Sequence, residues 1–320
     1  MSNQTAFAPI LSRLKRFEWR QNIIYIAFVA VFLLFAVLLR DSGFTNPNNL
    51  MNILRQTATI TIMAVAMTYV IAAAEIDLSV GSIAGLSSVV TAMSISSWGL
   101  VPGILAGLLV GLVAGAISGG LVAWLKVPSF LVTLGMLGLL VGVARWITAS
   151  APIPIADKKY IDIFGGGRLG SVQIIFNWVA LVGGNGAMVM NKTKFGRHVR
   201  ATGGNLVAAG YTGVKTARVK FIVLMLSGGG AALAGMIYAG RLQSGRFQWG
   251  TGDELSVIAA VILGGTSLFG GRGQVIGSLF GAVFIGLINN GLILMGLDVS
   301  QQQVVRGAII ILAVALSRKK

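Results

Sequence analysis

Apolar positions in this chain fall into long runs at 21–39, 51–74, 79–97, 100–125, 128–148, 172–190, 219–240, 255–268, 274–296 and 304–316. A helix needs about 20 mainly apolar residues to cross hydrocarbon. The pattern therefore predicts an all-α, polytopic membrane protein with about ten transmembrane helices. The eighth and tenth runs are short, and a run of that length suits a re-entrant or half helix equally well. The first run follows a polar lead with Arg13, Lys15, Arg16 and Arg20 and ends at Arg40-Asp41. No small-residue cleavage site follows it, so it reads as an uncleaved span.

Composition agrees with that pattern. Hydrophobic residues make up 55% of 320 and charged residues 11%, against roughly 25% charged in a soluble domain. So few charges cannot cover a soluble surface. A soluble enzyme, a disordered chain and a nucleic-acid binder are excluded. The formal net charge of +16 is then read as orientation. With ten crossings and a cytoplasmic start, and the nearby Lys220 counted as inside, the inside segments hold sixteen of the 25 Lys and Arg. That bias follows the positive-inside rule and puts both termini in the cytoplasm. The expected organisation is a cytoplasmic segment 1–20, a membrane domain 21–316 with a long cytoplasmic loop 191–218, and a tail 317–320. Cysteine is absent, which removes disulfides, thiolate metal sites and a cysteine nucleophile.

Glycine accounts for 44 residues. Gly103, Gly107, Gly111, Gly115 and Gly119 recur every four residues and predict close helix packing along one stripe. Gly138/Gly142 and Gly277/Gly281 repeat the spacing. Glu75 and Asp77 are the carboxylates considered for proton coupling; capping of the following helix by Asp77, beside Ser79, is the simpler reading. The outer loop 149–171, with Pro152, Pro154 and Gly165–Gly167, reads either as a docking face for another protein or as an ordinary solvated loop. Its residues lack metal-ligand spacing.

No catalytic machinery is visible. The single histidine, His198, lies in a basic loop. The stretch Gly264–Gly273 is glycine-rich but lacks the Lys-Ser/Thr of a phosphate-binding loop and reads as a turn. The chain is expected to hydrolyse no ATP itself and to hold no metal or cofactor. In the loop 191–218, the small residues Ala208, Ala209 and Gly213 would lie on one face of a short helix. That helix suits a groove on another protein, and it equally suits anionic lipid.

Six stretches in order carry a resemblance: Ile76–Ser82, Pro128–Gly135, Phe195–Asn205, Ile258–Ser267, Gly270–Gly273 and Ile288–Leu292. Over nearly its whole length the chain resembles the permease subunits of bacterial ABC importers for ribose, xylose, galactose and related small sugars. The resemblance implies an inner-membrane location and a second permease chain, identical or related. It also implies a cytoplasmic ABC ATPase that binds ATP and Mg, and a periplasmic or extracellular sugar-binding protein. Ala208-Ala209-x-x-x-Gly213 resembles the coupling element of such permeases, with Val207 where that pattern has Glu. Phe195, Gly196, Arg197, Gly204, Asn205, Ala208, Ala209 and Gly213 are then expected to engage the ATPase.

The expected function is import of a small sugar or polyol by alternating access driven by the partner ATPase. A nucleoside or other small polar solute as cargo and a proton-coupled secondary transporter are the rival readings. Thr57, Thr61, Thr68, Asn177, Asn289 and Asn290 supply donors and acceptors suited to sugar hydroxyls. Each could instead bridge helices.

Overall fold

The computed structural model describes residues 19–317. The basic lead before residue 19 and the tail Arg318-Lys319-Lys320, on which the expected position of the termini partly rests, lie outside the described residues.

The described chain is mostly helical. In order it forms α1 (Trp19–Leu38), α2 (Pro47–Ala72), α3 (Val80–Trp98), α4 (Leu100–Ala123), α5 (Ser129–Thr148), α6 (Lys158–Phe164), α7 (Ile174–Lys192), α8 (Lys194–Gly204), α9 (Leu206–Tyr211), α10 (Thr216–Leu242), α11 (Asp253–Leu263), α12 (Val275–Leu294) and α13 (Val299–Ser317). Four two-residue strands are added: β1 (Ile153–Pro154), β2 (Arg168–Leu169), β3 (Val172–Gln173) and β4 (Ser244–Gly245). β1 pairs antiparallel with β4, and β2 with β3. Among the described residues seven helices, α2, α3, α4, α5, α7, α10 and α12, are long and apolar enough to cross a membrane.

The eighth run takes the half-helix form that its length allowed. α11 stops at Leu263, and its 11 residues span about 16 Å, roughly half a bilayer core. The other half is the non-helical leg 244–252, the strand β4 followed by successive turns, which runs antiparallel along α3. Gly245 abuts Ser88 and Ala92, the Phe247 carbonyl abuts Gly85, and Gly250 abuts Gly81. Non-helical backbone is tolerated at such depth only when protein partners satisfy it. Here Ser88 Oγ accepts from the Arg246 N–H at 3.1 Å, and β4 is paired with β1.

α10 is the hub, packed against α4, α3 and α2, while α12 packs on α2 and α11. The glycine stripe explains the tightest contact. Along α4, Gly107 faces Thr91 of α3 and, further off, Met236 of antiparallel α10, while Gly111 faces Gly228 and Ala232, Gly115 faces Leu224, and Gly119 faces Phe221 of α10. Val101, Leu105, Leu109, Val113 and Ile117 form the opposite, exposed stripe of α4. Backbones meet inside, and branched side chains point outward.

Gly277 and Gly281 do the same against Gly264 and Ala260. Gly138 and Gly142 do not: nothing lies within 4 Å of a Cβ built at either. α5 packs on α3 through its other face, where Val132, Met136, Leu140 and Ala144 are buried.

The bundle thus has two ends. The hairpin end holds α8, α9, the ends of α2 and α7, and the starts of α10 and α12. The opposite end holds segment 149–173 and the entry to the leg 244–252.

Candidate functional site

Two regions stand out, one at each end. At the hairpin end, α7 runs through Lys192 into two short helices. Thr193 Oγ1 accepts from the Gly196 N–H at 3.3 Å and starts α8; Asn205 Oδ1 accepts from the Ala208 N–H at 2.9 Å and starts α9. Both are N-cap bonds that satisfy otherwise orphaned donors. Phe195 stacks on Tyr69 with ring centroids 6.1 Å apart. Gly196 is pressed against the Met190 carbonyl, and Gly203 against the Ala72 carbonyl. The Gly271 N–H also donates to the Ala72 carbonyl, at 3.0 Å. The hairpin and the glycine-rich turn are thus bolted to the same point, the end of α2.

The expected coupling residues divide by orientation. Gly196 and Ala209 are buried and Phe195 is half-buried, which fixes the hairpin to the bundle. Arg197, Gly204, Asn205, Ala208 and Gly213 are exposed. Gly213 lies beyond α9 at φ +84°, so it ends the turn rather than sharing the helix face. Leu206, Val207 and Tyr211 are exposed apolar residues on α9.

Just behind α2, Glu75 Oε1 pairs with Lys220 Nζ of α10 at 2.5 Å, with side chains 8% and 21% exposed. Asp77 Oδ1 accepts from the Ser79 N–H at 2.9 Å and the Ser79 hydroxyl at 2.6 Å, closing a turn at the entrance to α3. Neither carboxylate faces a cavity named below.

At the opposite end two contiguous cavities penetrate the bundle. The outer one, about 380 Å³, is lined by Asn52, Arg55, Gln56, Gly165, Gly166, Gln173, Ile175 and Arg241. The deeper one, about 240 Å³, is lined by Gln56, Thr57, Ile60, Tyr238, Arg241, Asp253, Gly286 and Asn289. The break between leg and half helix places Asp253 here, at the first residue of α11. Tyr238 donates to Asp253 Oδ2 at 2.6 Å. Arg55 donates to Gln173 Oε1 at 2.6 Å and to Asn52 Oδ1 at 3.1 Å.

Segment 149–173 folds over this mouth. Asp157 caps α6 by accepting from the Tyr160 N–H at 2.9 Å. Tyr160 is fully buried and donates to the Met236 carbonyl at 2.8 Å, and burial pushes its phenol up. Phe164 stacks on Trp178, and Gly165 is pressed against Gly240.

Of the six expected path residues, Thr57 and Asn289 line the deeper cavity. Thr61 donates to the Thr57 carbonyl, and Thr68 to the Ala64 carbonyl and Ser278 Oγ. Asn177 donates to the Gln173 carbonyl at 3.3 Å. Asn290 and Asn49 exchange side-chain hydrogen bonds at 2.9 Å and tie α12 to α2. Replacing Asn290 with alanine is therefore expected to cost about 1 kcal/mol, because Asn49 loses both bonds to Asn290 while its amide keeps the Phe44 carbonyl. Thermal unfolding of the purified protein checks this.

Sequence reasoning passed over Arg55, Gln56, Tyr238, Arg241 and Asp253. A signal existed for one of them: Arg55 lies inside the apolar run 51–74, and charges embedded in a span are functional candidates.

Residues 49–314 match the family described as "Branched-chain amino acid transport system / permease component". The chain is 44% identical over 306 residues to the probable ABC transporter permease protein YphD of Escherichia coli K12, covering 94% of this chain and 91% of that one. It is 41% identical to the ribose import permease RbsC of Bacillus subtilis (92% of each chain). It is 34% identical to the xylose transport system permease XylH of E. coli K12 (92% and 91%). No solved structure matches. With such coverage and seven helices fit to cross a bilayer, the chain is a multi-pass membrane protein belonging to this ABC-transporter permease family.

Proposed function

We propose that this chain is the permease subunit of a bacterial inner-membrane ABC importer for a small sugar or polyol. The observation that carries the reading is the polarity of the molecule. A polar cavity enters from one end, and a capped hairpin with an exposed apolar helix projects from the other. Relatives named as ribose and xylose permeases support the cargo class.

In this reading the chain crosses ten times, the broken eighth crossing included, with the hairpin end and both termini in the cytoplasm. The ATPase supplies ATP and Mg binding and grips Leu206, Val207 and Tyr211 together with the exposed Arg197, Asn205 and Ala208. A second permease chain completes the core. A secreted binding protein delivers cargo to the mouth under segment 149–173. Glu75 is neutralised by Lys220, and Asp77 is held by Ser79; that supports a partner's ATP over a proton gradient as the source of work.

Motion follows from the packing. The hairpin is fixed to the end of α2 through Gly203 and to α7 through Gly196. A push on α9 is therefore passed to α2, whose other half carries Arg55, Gln56 and Thr57 into the cavity. Rigid elements with two arrangements are how such displacement travels.

A Val207→Cys variant labelled with a thiol-directed photo-cross-linker is expected to cross-link to the ATPase on illumination, and uptake is expected to fall to background when that ATPase cannot hydrolyse ATP. Uptake that survives a hydrolysis-deficient ATPase and collapses with a proton uncoupler would overturn the reading.

A further inference from the structure

The outer cavity is lined by two guanidiniums, Arg55 and Arg241, and by no carboxylate. Arg55 spends two donors on the neutral amides of Gln173 and Asn52, out of the five a guanidinium carries. Arg241 is shared with the deeper cavity, whose lining adds a single acid, Asp253. The continuous lining therefore carries one net positive charge.

Two like charges in surroundings of low dielectric repel and lose hydration, and both effects are relieved by an anion between them. A neutral sugar gains nothing from that arrangement. The guanidinium fork matches the paired oxygens of a carboxylate or phosphate. Beyond it, Gln56, Thr57, Tyr238, Asp253 and Asn289 line the deeper cavity, polar groups of the kinds that hydrogen-bond hydroxyls.

We infer that the cargo is a sugar derivative bearing one anionic group, seated with its carboxylate or phosphate oxygens between Arg55 and Arg241 and its hydroxyls in the deeper cavity. This rests on the permease reading above and narrows its cargo class.

The test uses the purified full-length chain in detergent, at matched ionic strength. Thermal unfolding is followed against gluconate, glucose 6-phosphate, inorganic phosphate and glucose. Gluconate or glucose 6-phosphate is expected to stabilise the fold at concentrations at least tenfold below glucose and below inorganic phosphate. The better of the two tells carboxylate from phosphate. Arg55→Gln and Arg241→Gln are each expected to weaken that effect at least tenfold, with Arg55→Lys and Arg241→Lys retaining part of it and reporting on folding.

The inference is overturned if glucose protects as well as the sugar anions, if inorganic phosphate alone does, if no anion protects, or if the Gln variants respond like the parent. It is equally overturned if the Gln variants lose only binding of the secreted receptor, which would make the two arginines a docking contact for receptor carboxylates. ATPase dependence of uptake is scored separately, so the permease reading can fail or stand regardless of the anion result.

Discussion

Replacing Gly111 with leucine is expected to reduce recovery of folded, membrane-extracted protein at least about tenfold, the equivalent of ~1.4 kcal/mol or more. A Cβ at this position would overlap the Gly228 carbonyl and the Ala232 methyl of α10. Ordinary overpacking costs about 1–3 kcal/mol because side chains shift aside. Here the obstacles are a main-chain carbonyl and a Cβ methyl, neither of which can rotate aside. Gly228 in turn abuts the Gly111 carbonyl, so neither helix can yield without parting α4 from the hub. Gly111→Ala already introduces the clashing atom and should fall between the two.

Gly138→Leu is the matched control, since no atom lies near its Cβ position. Exposed substitutions of that kind usually stay within about 0.5 kcal/mol. Size-exclusion profiles and yields of the three variants measure the effect. Wild-type behaviour of Gly111→Leu would mean that α4 and α10 do not pack as described.

The same glycines show what a chain of letters can reveal. The four-residue recurrence on α4 was legible because a stripe of absent side chains has one strong physical use in lipid. The recurrence at Gly138 and Gly142 has the same spacing, yet faces open space, because spacing cannot say which side of a helix has a neighbour. Most helices were legible because an unbroken apolar run has few alternatives in a protein this poor in charge.

The leg 244–252 was not. Arg246, Gln248 and Thr251 make it polar, and non-helical backbone inside a bundle is tolerated where partners satisfy it, here including the sequence-distant Ser88 and Ile153. The cavity followed the same rule. Thr57 and Asn289 were accessible to reasoning from residue type alone. Tyr238, Arg241 and Asp253 converge only because the leg turns back and begins α11 beside α10. Arg241 falls just past the apolar run 219–240, where a charge carries no signal of its own.

A second large effect is expected at the Glu75–Lys220 pair. The two groups are 2.5 Å apart, with Glu75 almost wholly buried. Burying a pair is not itself a strong source of stability, but removing one partner strands the other charge away from water, at a cost of about 3–5 kcal/mol. Glu75→Gln should therefore destabilise the protein by about 3 kcal/mol, somewhat less than the full range because Lys220 keeps partial solvent access. Lys220→Met should cost a similar amount by stranding Glu75. The double variant should recover most of the loss, since no uncompensated charge remains.

Thermal unfolding of the four proteins gives the coupling energy directly, and additive losses would mean that the pair does not exist. Uptake by the double variant then separates two roles for the same bond. The pair ties the link after α2 to the first turns of α10, beside the point where Gly203 and Gly271 meet Ala72. If it only holds these elements together, restored stability brings restored uptake. If its breaking is a step in the transmission from hairpin to cavity, the double variant is stable yet altered in ATP-coupled transport, because a bond that must open and close has been replaced by one that does neither.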